Sequence, residues 1–329
     1  MINTTKLLSI AGALALTLSA PMAQIAFAHD DRPGSSQDAP EIDNTDAPGH
    51  NRQGGNVRMH FATNAVRAAR TNNLTYHGGN VMTSVMVYTI YWQPAGSVFA
   101  AGYQTLLNRY YTDVNASAFY NINVQYYQGS TTKLFMTNSS TFAGTWTDTT
   151  AYTGGRGSAA NPLTDADIQG AVSRAITANG WVADGTAQFV VFTGKGIESC
   201  YDAVDCTPGT SHPVYCAYHS DFISGGRDII YSNMPYGATW GSSCRSFSVS
   251  PNGNLDADTE ISTASHEHFE SATDPFGTAW YDRLGNENGD KCAYNYGTIS
   301  ANGSNITMGG NPYIIQQEWS NSAGGCRKS

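Results

Sequence analysis

Residues 251–275, PNGNLDADTEISTASHEHFESATDP, form the stretch from which the prediction of the fold starts. Residues 251–253 predict a turn, and Asp258 or Thr259 can cap a helix. The pattern across residues 260–273 is helical. The Asp-Pro pair that follows ends the helix, because a residue before proline disfavours helical backbone. The stretch therefore predicts one helix bounded by a turn on each side.

The predicted helix has two different sides. At about 100° per residue, one side carries ligand-type groups: His266, Glu267, Glu270 and Asp274. The other side carries residues suited to a core: Ile261, Ala264, His268, Phe269 and Ala272. We therefore interpret His268 as a packing residue. A solvated acidic helix face is the alternative interpretation of the polar side.

The polar side has what a zinc-binding helix requires. Side chains four residues apart lie one above the other, so His266 and Glu270 can bind one metal ion. Glu267, next to the first ligand, can take a proton from an attacking water and is the candidate general base. The spacing is His-Glu-x-x-Glu instead of His-Glu-x-x-His. The second ligand is therefore a carboxylate oxygen, a harder donor that zinc still accepts.

The third ligand has several candidates. Glu287 and Asp290 lie in the polar segment GNENGD at 285–290, from which a loop or helix can return a carboxylate to the site. We rank these two ahead of Asp274, at the helix end, and of His219, in the block YCAYH. For each of the four, a structural role in a turn or cap is the alternative.

A second polar cluster competes for a metal ion. Its members alternate along the chain: Asn252, Asn254, Asp256, Asp258 and Glu260. Alternating oxygen ligands are typical of calcium loops, but the glycine at the sixth position of an EF-hand loop is missing. We therefore favour a plain turn with a helix cap here, and we predict zinc as the cofactor with calcium as the second choice.

The flanking sequence predicts an α/β or α+β layered fold. Residues 81–92, VMTSVMVYTIYW, and 187–192, AQFVVF, are rich in β-branched and aromatic residues and predict buried strands. The other predicted elements are helices at 101–112 and 164–178, strands at 120–127 and 228–231, and a loop or hairpin layer at 129–162. This order predicts a single zincin-like domain with a mixed sheet and an active-site helix.

The N-terminus predicts export. Residues 1–28 combine Lys6, an apolar run and the small residues Ala26 and Ala28 before a polar switch, as in a secretory signal peptide; an uncleaved anchor is the alternative. Residues 29–78 are rich in Asp, Gly, Pro and Asn and predict a disordered leader or a propeptide. The globular domain is predicted at 79–329, with no later membrane span and an extracellular location.

The charge of the chain excludes some partners. The full chain has 17 Lys plus Arg against 26 Asp plus Glu, a formal net charge of −9. Without residues 1–28, whose only charged residue is Lys6, 16 basic residues stand against 26 acidic ones and the net charge is −10. Such a chain is not expected to bind nucleic acid or an anionic membrane. The expected partner is an extracellular peptide or protein, or a cell-wall polymer.

The six cysteines all lie in the C-terminal half of the chain. In an oxidising compartment an even count favours disulfides, and six cysteines allow fifteen connectivities. A cysteine metal site would need paired C-x2-C spacing, which is absent. We predict three pairs: Cys200 with Cys206, Cys216 with Cys244, and Cys292 with Cys326.

Several of these blocks together resemble a known family. SHEHFESATDPFGTAWYD from Ser265, GDKCAY from Gly289 and YCAYH from Tyr215 resemble the exordium, or phosphate-induced, protein family of plants and its secreted bacterial relatives. The resemblance covers roughly residues 79–326 and is most specific at 265–292. It implies secretion and the same order of elements. It implies no established enzymatic chemistry, since some members lack the His-Glu pair that this chain retains.

Two functions follow as hypotheses. The first is a secreted zinc-dependent hydrolase, of metallopeptidase type, that uses the HExxE helix. The second is a non-catalytic exordium-like extracellular protein that binds cell-wall or matrix material and uses the same residues as a structural metal site. Serine and cysteine catalysis have no supporting signature, because G-x-S-x-G is absent and the cysteines are expected to be paired.

Overall fold

The structure is a computed structural model that describes residues 57–63 and 72–329. The predicted signal peptide at 1–28 and most of the predicted leader lie outside the described residues. Within the described part, no helix is long and apolar enough to cross a membrane. The described residues show a mixed α/β architecture built on one large mixed sheet.

Six strands form this sheet, and we number them in chain order: β1 Arg58–Phe61, β2 Val85–Trp92, β3 Ser140–Asp148, β4 Ala187–Thr193, β5 Tyr215–Ser224 and β6 Arg227–Met234. Their order across the sheet is β1-β5-β6-β4-β2-β3. The β6-β4, β4-β2 and β2-β3 pairs are parallel, whereas β1-β5 and β5-β6 are antiparallel. The parallel strands β2 and β4 are nearly continuous apolar runs, because both of their faces are covered.

Three helices cover the two faces of the sheet: α1 Tyr103–Asp113, α2 Asp165–Asn179 and α3 Leu255–Thr273. Helices α1 and α3 pack together on one face, where they share a core with Val87 and Val190 of the sheet. Helix α2 packs on the other face with Ile90 and Val191. Neighbouring strand residues thus point to opposite cores, as the period of two in a strand requires.

Shorter elements complete the description. The short strands are Thr75–Tyr76, Tyr127–Gln128, Leu134–Phe135, Leu163–Thr164, Ser199–Cys200, Trp280–Tyr281, Ile306–Met308, Asn311–Tyr313, Glu318–Ser320 and Gly325–Arg327. The 3-10 helices are Tyr120–Gln125, Thr153–Gly155, Gly237–Ser243 and Asp290–Cys292.

The three disulfides join Cys200 to Cys206, Cys216 to Cys244 and Cys292 to Cys326, and the predicted pairing is confirmed. The second pair links β5 to the segment that precedes α3. The third pair ties the loop after α3 to the last strand pair of the chain. Two of the three bridges therefore fix segments around α3.

Helix α2 is where the sequence placed it. Thr164 caps it and forms a capping box with Asp167, and Gly180 ends it with a left-handed backbone. Helix α3 begins earlier than predicted. Its N-cap is Asn254, which accepts the backbone N–H of Ala257, so Asp258 and Thr259 lie inside the helix.

Along the middle of the chain one prediction is wrong and another, a loop or hairpin layer with short strand-like pieces, is incomplete. Residues 120–127 form a 3-10 helix and a two-residue strand instead of one strand, because Tyr120, Asn123 and Tyr126 are buried at a spacing of three, which is the period of a 3-10 helix. The segment 129–162 was predicted as a loop or hairpin layer. It contains the nine-residue edge strand β3, whose exposure alternates along the strand.

The folded part also begins earlier than residue 79. Strand β1 lies in the segment predicted as a disordered leader, yet it pairs with β5 at the edge of the sheet and buries Arg58, Met59 and His60. The strand was not predicted because its sequence is polar. Two of its three buried side chains are ionisable, and these two face charged or ionisable partners instead of an apolar core.

Candidate metal centre

The C-terminal half of α3 carries two candidate ligands that lie together. His266 and Glu270 are one helical turn apart, and His266 Nε2 is 3.0 Å from Glu270 Oε2. Metal–ligand bonds of about 2.1 Å in a tetrahedral zinc site put two ligand atoms about 3.4 Å apart. The two side chains therefore have nearly the separation of two ligands to one ion.

The loop after α3 brings Asp290 to the same place. Asp290 Oδ1 is 3.6 Å from His266 Nε2, and the backbone N–H of Asp290 donates to Glu270 Oε1 at 2.8 Å. The close approach depends on Gly289, where a Cβ atom would lie 2.8 Å from His266 Nδ1 and 2.9 Å from Glu270 Oε1. Ligand atoms of His266, Glu270 and Asp290 all lie within 4.8 Å of one another.

A second group of ligand-type atoms shares Glu270 with the first. One ring nitrogen of His219, one oxygen of Glu270 and one of Glu287 lie within 4.8 Å of one another, and all three side chains are fully buried. His219 reaches the helix because β5, its strand, packs against α3. The structure thus places both Glu287 and Asp290 beside α3, each in a different group.

Asp274 lies beside these groups but belongs to neither of them. Its Oδ1 accepts the backbone N–H of Ala279 at 2.6 Å, and its Oδ2 is 3.6 Å from the Arg58 guanidinium. Its backbone oxygen lies 3.4 Å from His219 Nε2. The carboxylate therefore organises the turn after α3 and faces a cationic side chain.

Glu267, the candidate general base, is held by two strands. Its Oε1 accepts the backbone N–H of His60 at 3.2 Å, and its Oε2 is 2.9 Å from His219 Nδ1. Both oxygens are thus engaged, one by β1 and one by β5. The side chain is 1% exposed.

Strand β1 covers the centre. Arg58 lies between two carboxylates, with its Nε 3.6 Å from Glu287 Oε2 and its guanidinium also near Asp274. The His60 ring packs on the His266 ring with 4.0 Å between centroids. As a result the ligand side chains are shielded from solvent, and only Asp290, with 13% of its side chain exposed, reaches it.

Several buried polar atoms at the centre make no hydrogen bond in the described part of the chain: Arg58 Nε, His60 Nδ1, His266 Nε2, Glu270 Oε2, Asp274 Oδ2, both carboxylate oxygens of Glu287, and Glu318 Oε2. A buried polar atom without a hydrogen bond costs free energy, and natural folds contain few of them. Most of these are acceptor atoms of metal-ligating residue types. The residues therefore fit a divalent cation.

The electrostatics of the centre agree with this fit. Burial and the neighbouring Asp290 raise the pKa of Glu270 to about 7. Burial and the nearby Arg58 charge lower the pKa of His219 to about 3, so this ring is neutral and able to ligate. Burial alone would lower the pKa of His266, but the charge of Glu270 and the nearby Asp290 carboxylate raise it. The centre thus attracts positive charge.

Gln316 contacts Nδ1 of the His266 ring, the nitrogen that does not face Glu270. Its amide nitrogen is 2.9 Å from His266 Nδ1 and donates to the backbone oxygen of Gly289 at 3.1 Å. A cation on Nε2 would place the ring proton on Nδ1. That proton would meet the Gln316 amide, whose orientation is set by the Tyr294 N–H on its oxygen at 3.4 Å and by Glu318 Oε1 near its nitrogen at 3.3 Å.

Other candidates from the sequence have structural roles. His268 is fully buried among aromatic rings and hydrogen-bonds Tyr110 Oη at 3.2 Å and Ser140 Oγ at 2.7 Å, which confirms it as a packing residue. In the cluster proposed as a calcium loop, Asp256 pairs with Lys195 and Asp258 binds Asn252. These side chains point to separate partners, as in the turn and cap that the sequence favoured.

The interpretation of the polar side of α3 as a solvated acidic face is wrong. Every residue from Ala257 to Thr273 is buried. Hydroxyl groups on the helix hydrogen-bond the carbonyl oxygens of the preceding turn, as Thr263 does with Thr259 and Thr273 with Phe269. Of the ionisable groups on the helix, His266, Glu267 and Glu270 face the centre, whereas Glu260 accepts the Gly237 N–H outside it.

The chain matches no protein-family model, no curated protein and no solved structure. The resemblance to the exordium family therefore stays a prediction. Sequence reasoning missed Arg58, His60, Gln316 and Glu318 at the centre and ranked His219 behind Glu287 and Asp290. Of these five residues, only His219 had a signal in the sequence, namely the block YCAYH. The other four lie far from the helix in sequence.

Proposed function

We propose that this chain is a secreted zinc-dependent hydrolase of metallopeptidase type. The observation that supports the proposal is the convergence of His266, Glu270 and Asp290, whose ligand atoms lie within 4.8 Å of one another. His266 and Glu270 are fully buried, and their Nε2 and Oε2 atoms make no hydrogen bond in the described structure. One imidazole and two carboxylates are an accepted donor set for zinc. Three disulfides agree with an oxidising, extracellular location.

The residues of the centre have separate roles in this proposal. His266, Glu270 and Asp290 would hold the zinc, which supplies Lewis-acid polarisation of a substrate carbonyl. Glu267 takes a proton from the attacking water through Oε1, while Oε2 stays hydrogen-bonded to His219. The packing of α3 on one face of the mixed sheet supports a zincin-like layered domain as part of the same proposal.

Strand β1 must leave its place before a substrate can reach the centre. The His60 N–H occupies the oxygen of Glu267 that the base would use, and the His60 ring lies on His266. This agrees with the prediction that residues 29–78 include a removable propeptide. N-terminal sequencing of the active secreted form is expected to show that Arg58–Phe61 has been removed.

A second function is favoured by one observation. The complete burial of His219, His266, Glu270 and Glu287 is typical of a structural metal site, which needs no open position. In that case the chain is a non-catalytic extracellular protein that binds cell-wall or matrix material and uses the metal to hold β1, β5 and the loop after α3 on the helix.

Peptide hydrolysis by the secreted protein and by its Glu267→Gln variant separates the two functions. Loss of a general base is expected to lower the hydrolysis rate about 10²- to 10⁴-fold. Zinc content, measured in the same samples, is expected to stay unchanged. The matched control is Glu260→Gln, a buried carboxylate on the same helix that accepts the Gly237 N–H outside the centre. Zinc without hydrolysis in any variant, including the form that lacks β1, supports the structural role and contradicts the enzyme.

A further inference from the structure

We propose that His219, Glu270 and Glu287 hold a second divalent cation, beside the one at His266, Glu270 and Asp290, and that Glu270 bridges the two. The inference rests on the proposed function in one respect, because it takes the first cation site as given. The three ligand atoms of the second group lie within 4.8 Å of one another and are fully buried. Its donor set, one imidazole and two carboxylates, repeats that of the first.

The orientation of His219 is that of a metal ligand. A ligating histidine usually donates its other ring N–H to a carboxylate, and His219 Nδ1 lies 2.9 Å from Glu267 Oε2. With the proton on Nδ1, the lone pair of Nε2 faces Glu287 Oε1 at 3.9 Å and the backbone oxygen of Asp274 at 3.4 Å. His219 Nε2, Glu287 Oε1 and the Asp274 backbone oxygen are then three acceptors with no hydrogen atom between them. A cation stabilises this arrangement.

Glu287 has a carboxylate without hydrogen bonds at this place. Both of its oxygens are buried and neither accepts a hydrogen bond in the described structure. Oε2 is turned towards Arg58 Nε at 3.6 Å, whereas Oε1 is turned towards His219. The backbone N–H of Glu287 donates to Asp290 Oδ2 at 3.1 Å, so one loop positions a ligand for each cation.

Glu270 lies between the two groups. Its Oε2 is 3.0 Å from His266 Nε2 and 3.9 Å from Nδ1 of the His219 ring, whose other nitrogen is the proposed ligand, and this oxygen accepts no hydrogen bond. Its Oε1 is fixed by the Asp290 N–H. A carboxylate in this position can ligate two ions at once, as in two-metal hydrolytic sites whose ions are about 3.5–4 Å apart.

The charge of the centre favours two cations over one. Six carboxylates surround it: Glu267, Glu270, Asp274, Glu287, Asp290 and Glu318. Arg58 is the permanent cation that lies against them. If all six acids are ionised, as they are when they ligate or face cations, they and the guanidinium carry five net negative charges, which one divalent cation reduces to three and two reduce to one. Buried acids without a cation take up protons, and a second divalent cation can replace these protons at His219, Glu270 and Glu287.

Zinc stoichiometry tests the second site. The secreted full-length protein is stripped with a chelator and reloaded with zinc, and zinc per chain is measured by mass spectrometry. The wild type is expected to hold about two zinc ions per chain, as in two-metal sites. His219→Gln, Glu287→Gln and Asp290→Asn are each expected to hold about one, and the Glu260→Gln control about two.

Cobalt(II) provides a readout that needs no variant. Two cobalt ions bridged by one carboxylate are magnetically coupled, so the electron paramagnetic resonance signal of the loaded wild type is expected to fall below that of two isolated ions. One zinc ion in the wild type, an uncoupled cobalt signal, or an unchanged stoichiometry in folded His219→Gln and Glu287→Gln would each overturn the proposal. If His219 Nε2 carries a proton in place of a cation, the wild type will hold one zinc ion.

The second site and the hydrolase can fail separately. Two ions without peptide hydrolysis would leave the second site in place and remove the proposed function. Hydrolysis with one ion, and with unchanged rate in Glu287→Gln, would leave the hydrolase in place and remove the second site.

Discussion

Gly289 decides, at the scale of a single residue, whether the centre can form. Its backbone conformation, φ −70° and ψ −46°, is open to any residue, so alanine is not excluded by strain there. A methyl group would nevertheless lie within 3 Å of His266 and Glu270. The position is therefore occupied by glycine because of the ligands that approach it.

We expect Gly289→Ala to weaken zinc binding by about 10- to 100-fold, the usual effect of displacing groups that support metal ligands. Calorimetric titration with zinc measures the change. The matched control is Gly185→Ala, where an added Cβ meets no atom within 4 Å. Equal zinc affinity in the two variants would contradict the contact made by Gly289.

Only some of the residues at the site could be predicted from the sequence. His266, Glu267 and Glu270 were found because they follow one another on a helix, where spacing fixes direction. Asp290 and Glu287 were found by proximity in sequence and by residue type. Arg58 and His60 are more than 200 residues away from His266 and Glu267 in sequence and come to them through strand pairing, which residue spacing does not encode.

At the scale of the elements, α3 is unusual because it is buried on all sides while it carries ionisable groups. Glu260 lies on this helix outside the centre and receives one hydrogen bond, from the Gly237 N–H at 2.9 Å. Burial raises the pKa of Glu260 to about 8, above its ordinary value of 4.5. Folding thus favours the protonated form of this side chain.

The sign of the pH effect follows from this shift. Between about pH 4.5 and pH 8 the unfolded chain releases the Glu260 proton while the folded chain keeps it, so the free energy of unfolding falls as pH rises. Glu260→Gln removes this contribution. We expect the variant to gain stability relative to wild type from pH 5 to pH 8, measured by denaturant unfolding in the presence of a chelator. A constant difference across this range would contradict the shift.

Elements with a clear period were predictable and the others were not. Helix α2 and strands β2 and β4 have strong apolar patterns, and their predicted positions differ from the structure by a few residues. Strand β1 and the 3-10 helix Tyr120–Gln125 lack such a pattern. Their conformation is set by tertiary partners, namely β5 for the strand and the aromatic core around α3 for the helix.

At the scale of the molecule, disulfides and burial combine to hold an acidic centre inside the fold. The bridges Cys216–Cys244 and Cys292–Cys326 fix the segments on either side of α3. They also occupy the cysteines, which leaves histidine and carboxylate as the donors for a metal ion. The mixed sheet positions β5 and β1 beside the helix, and this position creates both the ligand set and its cover.

Anomalous X-ray scattering at the zinc edge, from crystals of the secreted protein, locates the ion relative to its ligands. The account predicts a zinc peak about 2 Å from His266 Nε2 and from carboxylate oxygens of Glu270 and Asp290. A zinc-loaded crystal without a peak at these residues, or a protein that binds calcium in stoichiometric amount and no zinc, would contradict it.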